Sequence, residues 1–174
     1  MNNSDSPDKL PTLLEGHTEV TRRILQLLDD ESVSYQVMEH HPVFTSAEAA
    51  EVRLTTPEQG AKALIVKAGE QYHMLVLPGD RKADNNKVRR LIGSRHLRFA
   101  DRNELYGLTG CIPGAVPPFG NLFGLDVWID ELLSQCEELA FNAGSHTVSL
   151  KMRAADLIRL TGAKTASFSR DSGT

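Results

Sequence analysis

Cysteine is scarce in this chain, with two in 174 residues, Cys111 and Cys136. They form no CxxC pair and no metal-ligand spacing, which argues against a disulfide framework and points to a reducing compartment. Long apolar runs are missing too, and no stretch approaches the ~20 residues of a membrane span. The first twenty residues, MNNSDSPDKLPTLLEGHTEV, lack a basic stretch followed by an apolar one, so no signal peptide is expected. The expected location is the cytoplasm, with no membrane partner. Nor is there an excess of positive charge. A net charge of −4 disfavours a general nucleic-acid coat, and DNA is not expected as a partner, while contact with one end of a nucleic acid stays open. Walker lysine, GxSxG and GxGxxG motifs are all absent, as are internal repeats and low-complexity blocks.

What is present reads as an ordinary globule, 40% apolar and 24% charged. A chain of this length buries about 70% of its unfolded surface and needs no staples. A loose polar leader is expected over 1–16, one domain over 17–168 and a polar tail over 169–174. HTEVTRRILQLLDDES has helical periodicity with Thr18 as N-cap, and VSYQVME alternates as a strand. The chain then loops at Pro42 into a short helix capped by Ser46. AKALIVKA and YHMLVLPG are apolar runs joined around Gly69, which predicts a hairpin. A charged turn leads to a helix with Val88, Leu91 and Ile92 on one face, and HLRFA reads as a short strand. DRNELYGLTG reads as a helix capped by Asp101 and ended by glycine. LDVWIDELL, ELAFNAG and TVSLKM read as strands, and RAADLIRLTG as a closing helix. The fold class expected is α+β, a mixed, largely antiparallel sheet with surrounding helices.

TGCIPGAVPPFG, residues 109–120, holds three prolines and three glycines. Proline excludes both a helix interior and a central strand here. Two readings stand: a preorganised site of backbone donors, or a structural Ω-type loop. Lys62 opens a strand and shares a face with Leu64 and Val66. It is either a strand-end lysine reaching to water or a fixed cation facing a cleft. His146 rims a second glycine turn, NAGSH. It could do acid–base work or line a pocket, or be simply solvated, and His40 and His41 have the same status. No carboxylate cluster joins the histidines, so no metal site is expected. Cys111 lies inside the loop without a local Cys-His motif and reads as a small buried thiol rather than a nucleophile.

Taken in order, the lysine-led strand KALIVKA, then LPGD, TGCIPGAVPPFG, NAGSH and a following strand resemble the YbaK/prolyl-tRNA synthetase-associated domain over about residues 18–166. That resemblance implies a free-standing deacylase that hydrolyses the ester of mischarged aminoacyl-tRNA in trans, with neither catalytic metal nor cofactor. The family's strand lysine falls on Lys62 and its loop glycine on Gly114, the two residues expected to serve catalysis. The Gly-Ser turn falls on Gly144 and Ser145, beside a pocket for the amino acid, with His146 next to them. The segment with His41, Phe44 and Thr45 resembles the family's pocket-side stretch, and Pro118, Phe119 and Gly120 close the loop expected around the ester and terminal adenosine. The partner implied is the acceptor end of a mischarged tRNA, with an aminoacyl-tRNA synthetase as a further candidate. A binding module without turnover, or a hydrolase of another small ester or amide, remains the alternative.

Overall fold

A computed structural model describes residues 16–173; the leader expected over 1–16 falls outside them apart from Gly16. Helix α1 (Glu19–Asp30) opens at Thr18, whose hydroxyl accepts from the Thr21 amide in a reciprocal capping box. Strand β1 (Tyr35–Glu39) follows, then α2 (Ser46–Arg53). The cap of α2 is Thr45 rather than Ser46: the Thr45 hydroxyl accepts from the Glu48 amide, and the Glu48 carboxylate closes the box. Ser46 is inside the first turn and donates to the Gly79 carbonyl instead.

Strands β2 (Ala61–Ala68) and β3 (Gln71–Pro78) form the expected hairpin in full register, with Gly69 at φ 61° in its two-residue turn. Strand β4 (Arg81–Ala83), unforeseen in the charged turn, precedes α3 (Asn85–Ile92), β5 (Leu97–Phe99) and α4 (Arg102–Thr109). After the Pro/Gly loop come β6 (Asp126–Asp130), a single turn α5 (Glu131–Ser134), β7 (Glu138–Asn142), β8 (Val148–Arg153) and α6 (Ala154–Thr161). The expected strand LDVWIDELL therefore breaks at Asp130, whose carboxylate caps α5 by accepting from the Leu132 amide.

The class is mixed α and β, but among the described residues the strands divide into three sheets rather than one. The largest has the order β5-β2-β3-β6-β9, antiparallel up to β3 and parallel from β3 to β6 to β9. A second, antiparallel, has the order β1-β8-β7. A parallel bridge from Gly60 to Ala140 ties it to the start of β2. The third pairs β4 with β10. Here the start of the polar tail expected over 169–174 proves structured, with Ser169–Asp171 as β10, and Lys164–Ala166 just before it is β9. Phe168 between them is fully buried, and its amide and that of Ser169 donate to the buried Asp130 carboxylate at 3.0 and 2.8 Å. An apolar anchor and a carboxylate that needs donors hold this segment down despite its polar composition.

Alternation along β2 sorts its side chains between two cores. Ala61 and Ile65 enter the main core with α1, Phe119 and Phe141, while Val66 and the partly buried Leu64 join Leu75, Leu77, Val88 and Phe168 under α3. Lys62 lies at the head of this second face, as expected. Among the described residues, no helix is long and apolar enough to cross a membrane.

Candidate active site

A cavity of about 220 Å³ lies where α2, the start of β2, the end of β3, the β7 terminus and the Pro/Gly loop meet. Of the residues singled out from sequence, Lys62, Gly114, Phe44, Thr45 and His146 line it. Among the described residues, no aspartate or glutamate does.

Lys62 is half-buried. Its ammonium donates to the carbonyls of Gly79 (3.3 Å) and Arg81, the residues flanking Asp80. Burial pushes its pKa down; Asp80 pulls it up, and Lys82 pushes it further down. The two carbonyls hold the stem in one place, which is what a fixed cation requires.

A second cation was missed by sequence reasoning. Arg53, the last residue of α2, is 7% exposed, and among the described residues it makes no ion pair. Its Nε donates to Ser149 Oγ (2.9 Å) and its Nη2 to Asn142 Oδ1 (2.8 Å). Burial lowers its pKa to about 10, so it stays charged at neutral pH. Nothing in the sequence separates Arg53 from any arginine closing a helix; only the fold turns it inward.

Asn142 passes this order to the loop, because its Nδ2 donates to the Gly114 carbonyl at 2.8 Å. Gly114 has φ 85°, and a Cβ on it would come within 2.7 Å of His146 Cε1. His146 is a clamp between two loops: Nδ1 lies 2.9 Å from the Val43 carbonyl and Nε2 3.0 Å from the Pro113 carbonyl. A neutral imidazole donates to one of these and a protonated one to both. Phe44, 74% exposed, lies against the same ring at 4.9 Å between centroids.

The Pro/Gly loop meets the cavity at Gly114 and Val116 and is otherwise packed into the protein or exposed to solvent. Ile112, Pro113 and Gly114 are exposed, Gly114 at the cavity, whereas Ala115 to Gly120 are buried. Pro118, Phe119 and Gly120 therefore lie away from the cavity. Phe119 packs edge-on against Phe141 at 5.6 Å, and a Cβ on Gly120 would reach within 2.5 Å of Val127. Gly144 and Ser145 also point elsewhere. Gly144, at φ 85°, abuts Thr18 and Val20 of α1 and donates to the Ala115 carbonyl, while Ser145 bonds Thr147. His41 is exposed outside the cavity, its carbonyl 2.8 Å from His40 Nδ1. Cys111 is buried, does not line the cavity, and its thiol pKa is pushed up by that burial. Among the described residues no three His, Cys, Asp or Glu side chains gather as a metal site.

Comparison with known proteins gives this geometry a context. Residues 40–160 match the family model described as the aminoacyl-tRNA editing domain. Over 154 residues the chain is 34% identical to the multifunctional Ser/Thr-tRNA deacylase ProXp-y of Escherichia coli, covering 86% of this chain and 92% of that one. It is 31% identical over 101 residues to the prolyl-tRNA editing protein ProX of Acetoanaerobium sticklandii, covering 57% and 62% respectively. A crystal structure of a candidate trans-editing enzyme for prolyl-tRNA synthetase superposes with a TM-score of 0.80 at 27% identity, covering 90% of this chain and 99% of the other. With its cavity inside the matched segment and the shared sequence running almost the full length of the E. coli relative, the chain belongs to the aminoacyl-tRNA editing domain family.

Proposed function

We propose that this protein hydrolyses the ester bond of mischarged aminoacyl-tRNA in trans, receiving the aminoacylated acceptor end in the cavity beside Lys62. The observation that carries the reading is the pairing of two cations, Lys62 and Arg53, with a small cavity that no carboxylate lines among the described residues. Such a cavity favours charge that is negative and transient, as on the oxygen of an ester carbonyl under attack. Water adds to the carbonyl carbon, the C–O bond to the ribose breaks, the ribose oxygen takes a proton and the free amino acid leaves. His146 is held by two carbonyls, so the substrate's own vicinal ribose hydroxyl is assigned to orient the attacking water and to relay its proton to the departing ribose oxygen.

An aminoacyl ester is already activated, and orientation with electrostatic stabilisation can supply the rate. The loop, fixed at Gly114 by Asn142, presents its rim to that carbonyl. The donor set, one committed histidine with neither thiol nor carboxylate, suits hydrolysis without a metal. The E. coli relative's name directs the first test to seryl and threonyl esters, and the polar wall of Arg53 and Asn142 beside Val43 and Ala50 suits a small hydroxylated side chain. The reading places the protein in the cytoplasm, where charged tRNA is used.

The test is a panel of mischarged tRNAs under single-turnover conditions, with and without chelator. Wild type is expected to release amino acid regardless of chelator. Lys62→Ala and Arg53→Gln are each expected to lose about 10²–10³ in rate, the usual effect of removing a preorganised charge partner. Binding of mischarged tRNA without release would make the protein a binding module instead.

A further inference from the structure

The charge of this chain is unevenly placed. The net is −4, yet residues 81–102 contain eight lysines and arginines against two aspartates, a local +6 that leaves −10 on everything else. The start of this segment is β4, whose first residue gives its carbonyl to Lys62. The basic segment thus begins beside Lys62.

The β4–β10 ribbon divides its side chains by face. On one side Arg81 donates to Ser169 Oγ and pairs with Asp171 at 2.7 Å, next to the buried Ala83. On the other side Lys82 and Arg170 stand directly opposite each other in register, both exposed. Neither makes an ion pair among the described residues; the one hydrogen bond given by the Arg170 side chain goes to the Asp171 carbonyl at 3.4 Å. Of the nearby acids, Asp84 caps α3 by accepting from the Asn86 and Lys87 amides and feels the Arg170 charge without forming an ion pair with it, Asp171 holds Arg81, and Asp80 acts on Lys62. Like charges directly opposite on a ribbon are destabilising, and an anion between them reverses the sign.

We infer that the Lys82–Arg170 face of the β4–β10 ribbon is a docking surface for the phosphate backbone of the tRNA acceptor strand, which holds the strand whose 3′ end enters the cavity. The inference rests on the proposed deacylase reading for its partner, and it adds a footprint outside the cavity. Two cations at one ribbon position suit one or two phosphates, so the grip is local. With −10 outside residues 81–102, the remainder of the chain carries a net charge that disfavours a polyanion, which makes this face direct the approach as well as hold it.

The test measures binding of uncharged tRNA by fluorescence anisotropy between 50 and 200 mM salt, an assay that requires no deacylation. The Lys82→Ala/Arg170→Ala double variant is expected to bind more weakly at low salt. Its slope of log affinity against log salt should be shallower by about two, one for each phosphate that is no longer neutralised. Lys82→Arg/Arg170→Lys is expected to keep binding, and Arg159→Ala on α6 to leave the slope unchanged. An unchanged slope in the first variant overturns the inference, as does loss of binding in the charge-conserving variant or an equal loss in Arg159→Ala. Capture of the protein by anionic vesicles through Lys82 and Arg170, without tRNA binding, overturns it too. If wild type binds tRNA through this face but releases amino acid from none of the panel, the deacylase reading fails while the surface stands.

Discussion

At Gly114 a single hydrogen atom in place of a side chain holds two loops together. The residue occupies the left-handed region, its carbonyl accepts from Asn142, and the His146 ring fills the space a methyl would need. Gly114→Ala is expected to cost about 1–2 kcal/mol for the backbone alone, with a further loss from moving His146. Turnover should fall along with the melting temperature, because the clash lands on the clamp that shapes the rim. A variant that melts and hydrolyses like wild type would remove this loop from the mechanism. Cys111 supplies the opposite case. It lies in the same motif but is buried behind it with a raised pKa, so Cys111→Ser should retain most activity, and a trapped acyl-enzyme on that sulfur would refute a water mechanism. Lys62 and Gly114, which line the cavity, were legible as candidates because a strand-leading lysine and a Pro/Gly loop are visible as strings. Arg53 and Asn142 were not, because their importance comes from pairing across 89 positions of sequence.

Elements were legible where one periodicity ran unbroken, as in α1 and the β2–β3 hairpin. The short strands β4, β9 and β10 were hidden because three residues show no alternation and their pairing partners are remote. Strand β5 and helix α4 are joined by side chains instead of length. Glu104 accepts from both terminal nitrogens of Arg98 at 2.7 Å, from the Tyr72 hydroxyl at 2.7 Å and from the Asp101 amide at 2.9 Å. The Arg98 guanidinium above all holds the Glu104 carboxyl well below the usual carboxylate range. A depressed folded pKa gives stability that is complete above the unfolded pKa and fades as acid protonates the group. Wild type should therefore melt above Glu104→Gln near neutral pH. The gap should narrow as the pH falls below about 5, where the unfolded carboxylate begins to bind protons first. A gap that stays constant down to pH 3 would show that the arrangement contributes by packing alone.

For the whole molecule, the alternation of elements indicated the α+β class, but not the division of the described strands into three sheets, which depends on pairings such as Ser169 with Ala83 that no local pattern encodes. The closing segment shows this most clearly. Phe168 is fully buried in the core under α3, and the Asp130 carboxylate, itself buried, is satisfied by the amides that follow β9. Phe168→Ala is expected to destabilise the protein by about 3–5 kcal/mol in denaturant titration. Asp130→Ala should strand two buried amides, at about 1–3 kcal/mol each. Changes below 1 kcal/mol in both would mean that this segment rests on the surface rather than closing the core.

The pairing of β10 with β4 also bears on the order of synthesis. Strands β2 and β3 and the Pro/Gly loop are made well before Ser169, so Asp130 waits for its donors after much of the cavity wall exists. The nascent chain then has Lys62 without a settled β4 to hold its carbonyl cradle at Arg81. A chain that stops before Ser169 should therefore lose the cradle of Lys62 as well as the donors of Asp130, so that competence for editing comes with the last strand to be made.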